Sequence, residues 1–172
     1  MKKILFLLIA TLVTSIGVNA QKIKKNEVDK FTKSEIIETS NETLFSRNPM
    51  FMGITNSFDF IIRRYNGAYV IAADILMHEI VKYEEGNGVT FLLDNGEIVE
   101  LTTNYTGVGG NRFGPGYEFS TSFSLTDEDV QNLKQHKITD VRITYLGGSY
   151  DHKLKEKKQD LIQRMLDLFS EL

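Results

Sequence analysis

Two Asn-Gly steps that follow apolar runs constrain the fold of this chain more than any other feature of its sequence. One step, at residues 66–67, follows the apolar run 58–62, and the other, at residues 95–96, follows the run 89–93. Both residues of an Asn-Gly step tolerate the positive φ of the tight turns that join antiparallel strands. The two steps therefore predict two β-hairpins and an antiparallel sheet.

A further strand is predicted where residue types alternate from Tyr117 to Leu125. Every second residue in this segment is Tyr, Phe, Thr or Leu, and the residues between them are Glu or Ser. Side chains alternate between the two faces of a sheet, so this pattern is typical of a strand with one buried face. Residues 34–39 and 139–145 also predict strands, whereas residues 46–56 predict a connection and Gly147-Gly148 a break.

Two helices are expected after the strands. Thr126 precedes three acidic residues, as expected of an N-cap that leads into a helix ending near residue 136. A second helix is predicted over residues 153–172, with an apolar stripe of Leu161, Ile162, Met165, Leu168, Phe169 and Leu172. We therefore predict an α+β fold: a twisted antiparallel sheet of six to eight strands, with the short helix and the C-terminal helix packed on one face. A sheet that curls around the terminal helix would create a cleft.

The first twenty residues have the layout of a secretory signal peptide. Lys2 and Lys3 precede an apolar run, and Val18-Asn19-Ala20 supplies small residues for cleavage. The fifteen residues 4–18 would span about 22 Å as a helix, less than the ~30 Å of a bilayer core. Gln21 stands where a lipoprotein would have Cys. We expect an exported protein, periplasmic or extracellular, without a lipid anchor or stable membrane insertion, comprising signal peptide 1–20, flexible lead-in 21–33 and one α+β domain 34–172.

Charge and cysteine content narrow the partners. The chain has 20 basic and 23 acidic residues, and removal of the signal peptide with its two lysines changes the formal net charge from −3 to −5. An acidic chain of this kind is not expected to bind nucleic acid. It has no cysteine, so its stability must come from its core without disulfides. The basic segments 22–25 and 153–158 carry no interleaved aromatic residues, and we interpret both as solvated.

Three polar residues form the only candidate catalytic cluster. Asp74, His78 and Glu79 lie close together in the sequence and could act as acid and base if the strand bends there. The alternative interpretation is that they are ordinary polar residues at the end of a strand. His78 and Glu79 also resemble the start of a zinc-protease motif, but Lys82 occupies the position of its second histidine. With three histidines and no cysteine, we expect neither a metal site nor a cofactor.

The glycine-rich segment 106–116 is interpreted as a hairpin loop. It lacks the Gly-Lys-Ser/Thr ending of a phosphate-binding loop and the glycine spacing of a dinucleotide site. Its Arg112 and Phe113 are candidate ligand-binding residues, because loops on rigid scaffolds often carry binding side chains.

Four short segments together resemble a small secreted domain of Bacteroidetes-type bacteria. These segments are residues 29–32, 93–97, 125–129 and 138–143, followed by a lysine-rich terminal helix. The resemblance implies turns, caps and strands, and it implies no activity or catalytic residue. The sequence therefore favours a non-enzymatic binding module for an envelope protein, glycan or small molecule. Alternatives are a small hydrolase that uses Asp74, His78 and Glu79, and a self-associating structural component; the oligomeric state is left open.

Overall fold

Two antiparallel sheets form most of the fold. The computed structural model describes residues 21–47, 56–78, 82–103, 107–111 and 117–172, so the predicted signal peptide lies outside the described residues. One sheet has seven strands, a second has four, and a two-stranded ribbon accompanies them. The predicted α+β class is confirmed, and the strands are divided between two main sheets. No helix in the described ranges is both long and apolar enough to cross a membrane.

The elements of the described residues follow one another in chain order. The strands are β1 (Ile23–Val28), β2 (Glu35–Thr39), β3 (Glu42–Arg47), β4 (Asn56–Tyr65), β5 (Ala68–Met77), β6 (Lys82–Tyr83), β7 (Gly88–Leu93), β8 (Ile98–Thr102), β9 (Gly107–Val108), β10 (Gly110–Asn111), β11 (Tyr117–Leu125), β12 (Ile138–Tyr145) and β13 (Gly148–Lys153). The helices are α1 (Asp127–Gln135), α2 (Glu156–Gln159) and α3 (Leu161–Asp167), and a 3₁₀ turn (Leu168–Glu171) follows α3.

The seven-stranded sheet is built around the β4–β5 hairpin. Its order is β1-β2-β4-β5-β11-β10, and β3 also pairs with β4. Because β5 pairs with β4 along its whole length, β2 and β3 follow one another along the opposite edge of β4. The predicted turn is confirmed, with positive φ of 47° at Asn66 and 87° at Gly67. The other edge of β3 pairs with no described strand, and its side chains approach the second sheet.

The second sheet has the order β13-β12-β7-β8 and faces the first across the core. It contains the other predicted hairpin, β7–β8, whose turn includes Gly96. Phe58 of the first sheet is 0% exposed and meets Phe91 of the second edge to face, with ring centroids 6.5 Å apart. Apolar side chains from the inner faces of both sheets thus form one continuous core.

The first helix begins as its sequence predicts. The backbone N–H of Asp129 donates to the hydroxyl of Thr126 at 3.1 Å, and the carboxylate of Asp129 accepts from the backbone N–H of Thr126 at 2.9 Å. These two bonds form a reciprocal capping box and satisfy backbone donors that the helix itself leaves free. The predicted N-cap at Thr126 is therefore confirmed.

The C-terminal helix is shorter than the sequence predicts. Gly147 has a φ of 88° and forms the turn between β12 and β13, so the helix begins at residue 156 instead of 153 and is interrupted at Asp160. The buried stripe consists of Leu161, Ile162, Met165, Leu166 and Phe169. Leu172 is exposed, because the tighter 3₁₀ turn changes which residues face the core.

The segment expected to be a flexible lead-in contains a strand. β1 pairs antiparallel with β2 along the outer edge of the seven-stranded sheet. Lys22, Lys24 and Val28 are exposed, so this segment lacks the apolar alternation that predicts a strand. Charged side chains are common on edge strands, where they discourage pairing with other molecules.

Helices α1 and α3 close the end of the seven-stranded sheet at which the β4–β5 hairpin turns. Tyr69 near this turn meets Phe169 edge to face, with ring centroids 5.3 Å apart. The side-chain amide of Gln163 donates to the backbone carbonyl of Lys134 at 2.6 Å, which joins the two helices. The C-terminal helix thus packs on the fold by its apolar stripe, as predicted.

Tyr83 brings a polar hydroxyl into the core. It is 1% exposed, and its ring stacks on Phe119 with centroids 3.8 Å apart. Its hydroxyl has no hydrogen-bond partner among the described residues. Burial raises the pKa of this hydroxyl well above its usual value, so Tyr83 remains neutral at physiological pH.

We expect the substitution Tyr83→Phe to raise the free energy of unfolding by about 1 kcal/mol, because it removes a buried polar group that has no hydrogen-bond partner in the described ranges. Chemical denaturation measures this change. Tyr65→Phe is the matched control: Tyr65 donates to the hydroxyl of Ser34 at 2.7 Å, and its loss should lower stability by about 1 kcal/mol. A loss of stability in Tyr83→Phe equal to that of the control would show that the Tyr83 hydroxyl has a partner.

Candidate functional site

A cleft of 670 Å³ separates β3 from β13, at one edge of the two sheets. Residues 43–46 of β3 line one side, residues 151–153 line the other, and Lys155, Lys157 and Lys158 extend the lining beyond β13. We call this feature the basic cleft. It arises because β3 and β13 approach each other through their side chains, while each pairs with another strand of its own sheet.

Aromatic side chains form the floor of the basic cleft. The ring of Phe45 stacks on the ring of His152 with centroids 4.2 Å apart, and it also lies 6.0 Å from the ring of Tyr150. Phe45 is 5% exposed and contacts Phe58 at 6.3 Å, so the floor is continuous with the core. His152 and Tyr150 are half-buried. The floor is therefore aromatic and joined to the core.

Four lysines give the cleft its charge. Lys153, Lys155, Lys157 and Lys158 make no ion pair with any of the described residues. Their segment is held in place by Leu154, which is buried and whose backbone N–H donates to the carbonyl of Thr139 at 2.8 Å. The lysine side chains thus extend from a fixed backbone.

The carboxylate of Asp151, which also lines the cleft, is engaged by an arginine on the outer face of the second sheet. Arg142 donates from Nε and Nη2 to the two oxygens of Asp151, both at 2.7 Å. These bonds hold the pKa of Asp151 below its usual value and raise the pKa of Arg142. Because Arg142 compensates the charge of Asp151, the four lysines give the cleft an excess of positive charge in an acidic protein.

The lysines of residues 153–158 have no aromatic residue between them, which favours a solvated segment, but in the structure aromatic rings from outside the segment lie beside them. Tyr150 and His152 precede the lysines along the chain. The ring of Phe45, which belongs to the other sheet, contacts the rings of both. The sequence contains one sign of this arrangement. Tyr150 and His152 alternate with polar residues along β13, which places both rings on one face of the strand.

The candidate catalytic residues have separate partners. Asp74 accepts a hydrogen bond from the hydroxyl of Ser120 at 2.6 Å, whereas the backbone N–H of His78 donates to the amide oxygen of Asn56 at 3.0 Å. His78 follows Asp74 by four positions along extended chain, which corresponds to about 13 Å. The structure does not bring these two side chains together, and Glu79 lies outside the described residues.

The other predicted site residues, Arg112 and Phe113, also lie outside the described residues. Among the residues that are described, no group of three or more His, Cys, Asp or Glu side chains is placed to hold a metal ion. Neither the protein-family models, nor the curated proteins, nor the solved structures contain a match to this chain. The chemistry of the cleft is thus the basis for a functional proposal.

Proposed function

We propose that this protein is an exported, non-enzymatic binding module that takes an anionic ligand in the basic cleft. The observation that carries the proposal is the set of four lysines, which make no ion pair with the described residues, beside the stacked rings of Phe45 and His152. Lysine ammonium groups attract carboxylates and phosphates. The cleft volume of 670 Å³ falls within the range of about 300–1,000 Å³ that is typical of small-ligand sites.

The floor of the cleft favours an acidic glycan among anionic ligands. Phe45 and His152 line the cleft, and the half-buried His152 offers ring surface to an apolar or ring-shaped part of a ligand, while the lysines bind its acidic groups. A polyanion without an apolar or ring-shaped part would contact only the lysines. Binding to nucleic acid is disfavoured by the net negative charge of the mature chain.

The export step of the proposal rests on residues 1–20 and on Gln21 in place of a lipidated cysteine. It implies a mature chain that begins at Gln21, and binding experiments should therefore use residues 21–172. Recovery from the cell envelope of a chain that still begins at Met1 would contradict this step.

We expect the double substitution Lys155→Glu/Lys157→Glu to weaken the binding of oligogalacturonate by tenfold or more. Each reversal replaces an attraction in the cleft by a repulsion, and a tenfold loss corresponds to about 1.4 kcal/mol. Isothermal titration calorimetry at low and at physiological ionic strength measures the loss. Polyphosphate, a polyglutamate peptide and single-stranded DNA serve as comparison probes.

The matched control is Lys22→Glu/Lys24→Glu, which makes the same change in net charge on exposed positions beside and within β1. We expect the control to leave binding within a factor of two or so, because long-range effects are screened by salt. An equal loss in both variants would show that only net charge matters. The proposal fails if none of the anionic probes binds the wild-type chain.

A further inference from the structure

A second groove lies at the other edge of the two sheets, between β8 and β11. Its volume is 760 Å³, and hydroxyl-bearing side chains dominate its lining. We call it the hydroxyl groove; its hydroxyl residues are Thr102, Thr103, Ser120, Thr121, Ser122, Ser124 and Thr126. Glu100 lies on the β8 side, and the first turn of α1 closes one end. Sheet order separates this groove from the basic cleft, because β3 and β13 lie at the opposite edges of their sheets.

The strand geometry explains why hydroxyls converge there. Ser120, Ser122 and Ser124 alternate along β11 and therefore project from the same face. Between the two sheets, the hydroxyls of Thr103 and Thr121 lie 3.1 Å apart and hydrogen-bond to each other. This bond joins the sheets at the base of the groove. Because β10 pairs only with the first two residues of β11, described strands leave most of this edge of β11 open.

Several groups in the groove have unused hydrogen-bonding capacity. The hydroxyls of Thr102, Ser122 and Ser124 have no partner among the described residues, and all three side chains are exposed. Each hydroxyl can donate one hydrogen bond and accept others. Glu100 adds a carboxylate acceptor that makes no ion pair in the described ranges. Donors and acceptors are thus mixed along both sides of the groove.

The charge of the lining excludes the ligand class of the basic cleft. No lysine or arginine among the described residues lines the hydroxyl groove, whereas Glu100 and Asp129 do. An anionic ligand would meet these two carboxylates with no compensating cation from the described part of the chain. A neutral molecule with many hydroxyls can instead pair its own donors and acceptors with those of the protein.

We propose that the hydroxyl groove binds a short neutral saccharide chain. The chain lies along β11, where Ser120 to Ser124 extend over about 13 Å, and it exchanges hydrogen bonds with Thr102, Ser122 and Ser124. Glu100 accepts from a saccharide hydroxyl across the groove. This site is independent of the basic cleft, so one molecule can hold a neutral and an acidic glycan segment on two different sides.

The test is a titration of the chain 21–172 with maltohexaose, cellohexaose, xylohexaose and chitohexaose, followed by nuclear magnetic resonance. We expect at least one oligosaccharide to bind with a Kd below about 1 mM and to shift the backbone signals of β8 and β11. The substitutions Thr102→Val and Ser122→Ala remove two hydroxyls with little change of shape. Together they should weaken binding by tenfold or more.

Two control variants locate the binding on the molecule. Thr144→Val/Ser149→Ala makes the same kind of change at a cross-strand pair of β12 and β13 and should leave binding unaltered. Lys155→Glu/Lys157→Glu in the basic cleft should also leave it unaltered. Thermal unfolding of each variant establishes that it is folded. The inference is overturned if none of the four oligosaccharides binds, or if binding persists in the Thr102→Val/Ser122→Ala variant.

Discussion

The substitution Phe58→Ala should lower the free energy of unfolding by about 3–5 kcal/mol, the usual cost of removing a buried aromatic ring. Phe58 is fully buried and its ring meets those of Phe45, Phe60 and Phe91. Phe60 shares its strand, whereas the other two belong to β3 and to the second sheet. Its removal leaves a cavity where both sheets and the floor of the basic cleft meet.

Chemical denaturation at pH 7 measures the change, and Phe31→Ala is the matched control. Phe31 is 83% exposed, so its removal should alter the free energy of unfolding by no more than about 0.5 kcal/mol. Since Phe45 rests on Phe58, the substitution at Phe58 should also weaken ligand binding in the basic cleft. A loss of less than about 1 kcal/mol in Phe58→Ala would contradict the packing described for the core.

The parts of the fold that local chemistry determines could be predicted from the sequence. The Asn66-Gly67 turn, the β7–β8 hairpin and the Thr126 cap each depend on a few neighbouring residues. Strand β11 was also predictable, because one of its faces is buried and the other is not. In these segments, the local preference and the tertiary environment favour the same structure.

β1 and β13, which the sequence did not predict, are both outer strands of their sheets and both carry mostly polar side chains. β1 has mostly polar side chains, with Ile23 alone packed against the core, and β13 has Ser149, Asp151 and Lys153 on its outer face with Tyr150 and His152 directed inward. Their pairing depends on strands β2 and β12, to which they add as outer members. Such strands gain their stability from ladder hydrogen bonds to a partner and not from their own apolar pattern.

The candidate site could be predicted only in part for a related reason. The lysines of residues 153–158 are visible as a basic run, but a run alone does not distinguish a solvated segment from a binding cleft. The distinction depends on Phe45, which is distant in sequence and belongs to a strand that occupies a segment of mixed composition. The candidate catalytic residues Asp74 and His78 are four positions apart along extended chain, which places them about 13 Å from each other.

The substitution Gly88→Ala should destabilise the fold by about 3 kcal/mol or more, because a β-carbon at this position has no space. It would lie 1.8 Å from the carbonyl oxygen of Leu101 and 2.9 Å from the α-carbon of Thr102, both of which are backbone atoms of β8. Backbone in a paired strand cannot rotate away as a flexible side chain can. The β7–β8 ladder must therefore separate at Gly88, where it pairs with Thr102.

The same displacement should reach the hydroxyl groove, because Thr102 lines it. Thermal unfolding measures the stability change, with a shift in Tm of about 2–4 °C for each kcal/mol in a chain of this size. The matched control is Gly110→Ala in β10, where a β-carbon would meet no atom within 4 Å. This control should leave the stability unchanged or raise it by up to about 1 kcal/mol, since alanine restricts the unfolded chain more than glycine does. If the two alanine variants unfold at the same temperature, β7 and β8 do not approach as closely at Gly88 as the structure indicates, and the β8 side of the groove must lie elsewhere.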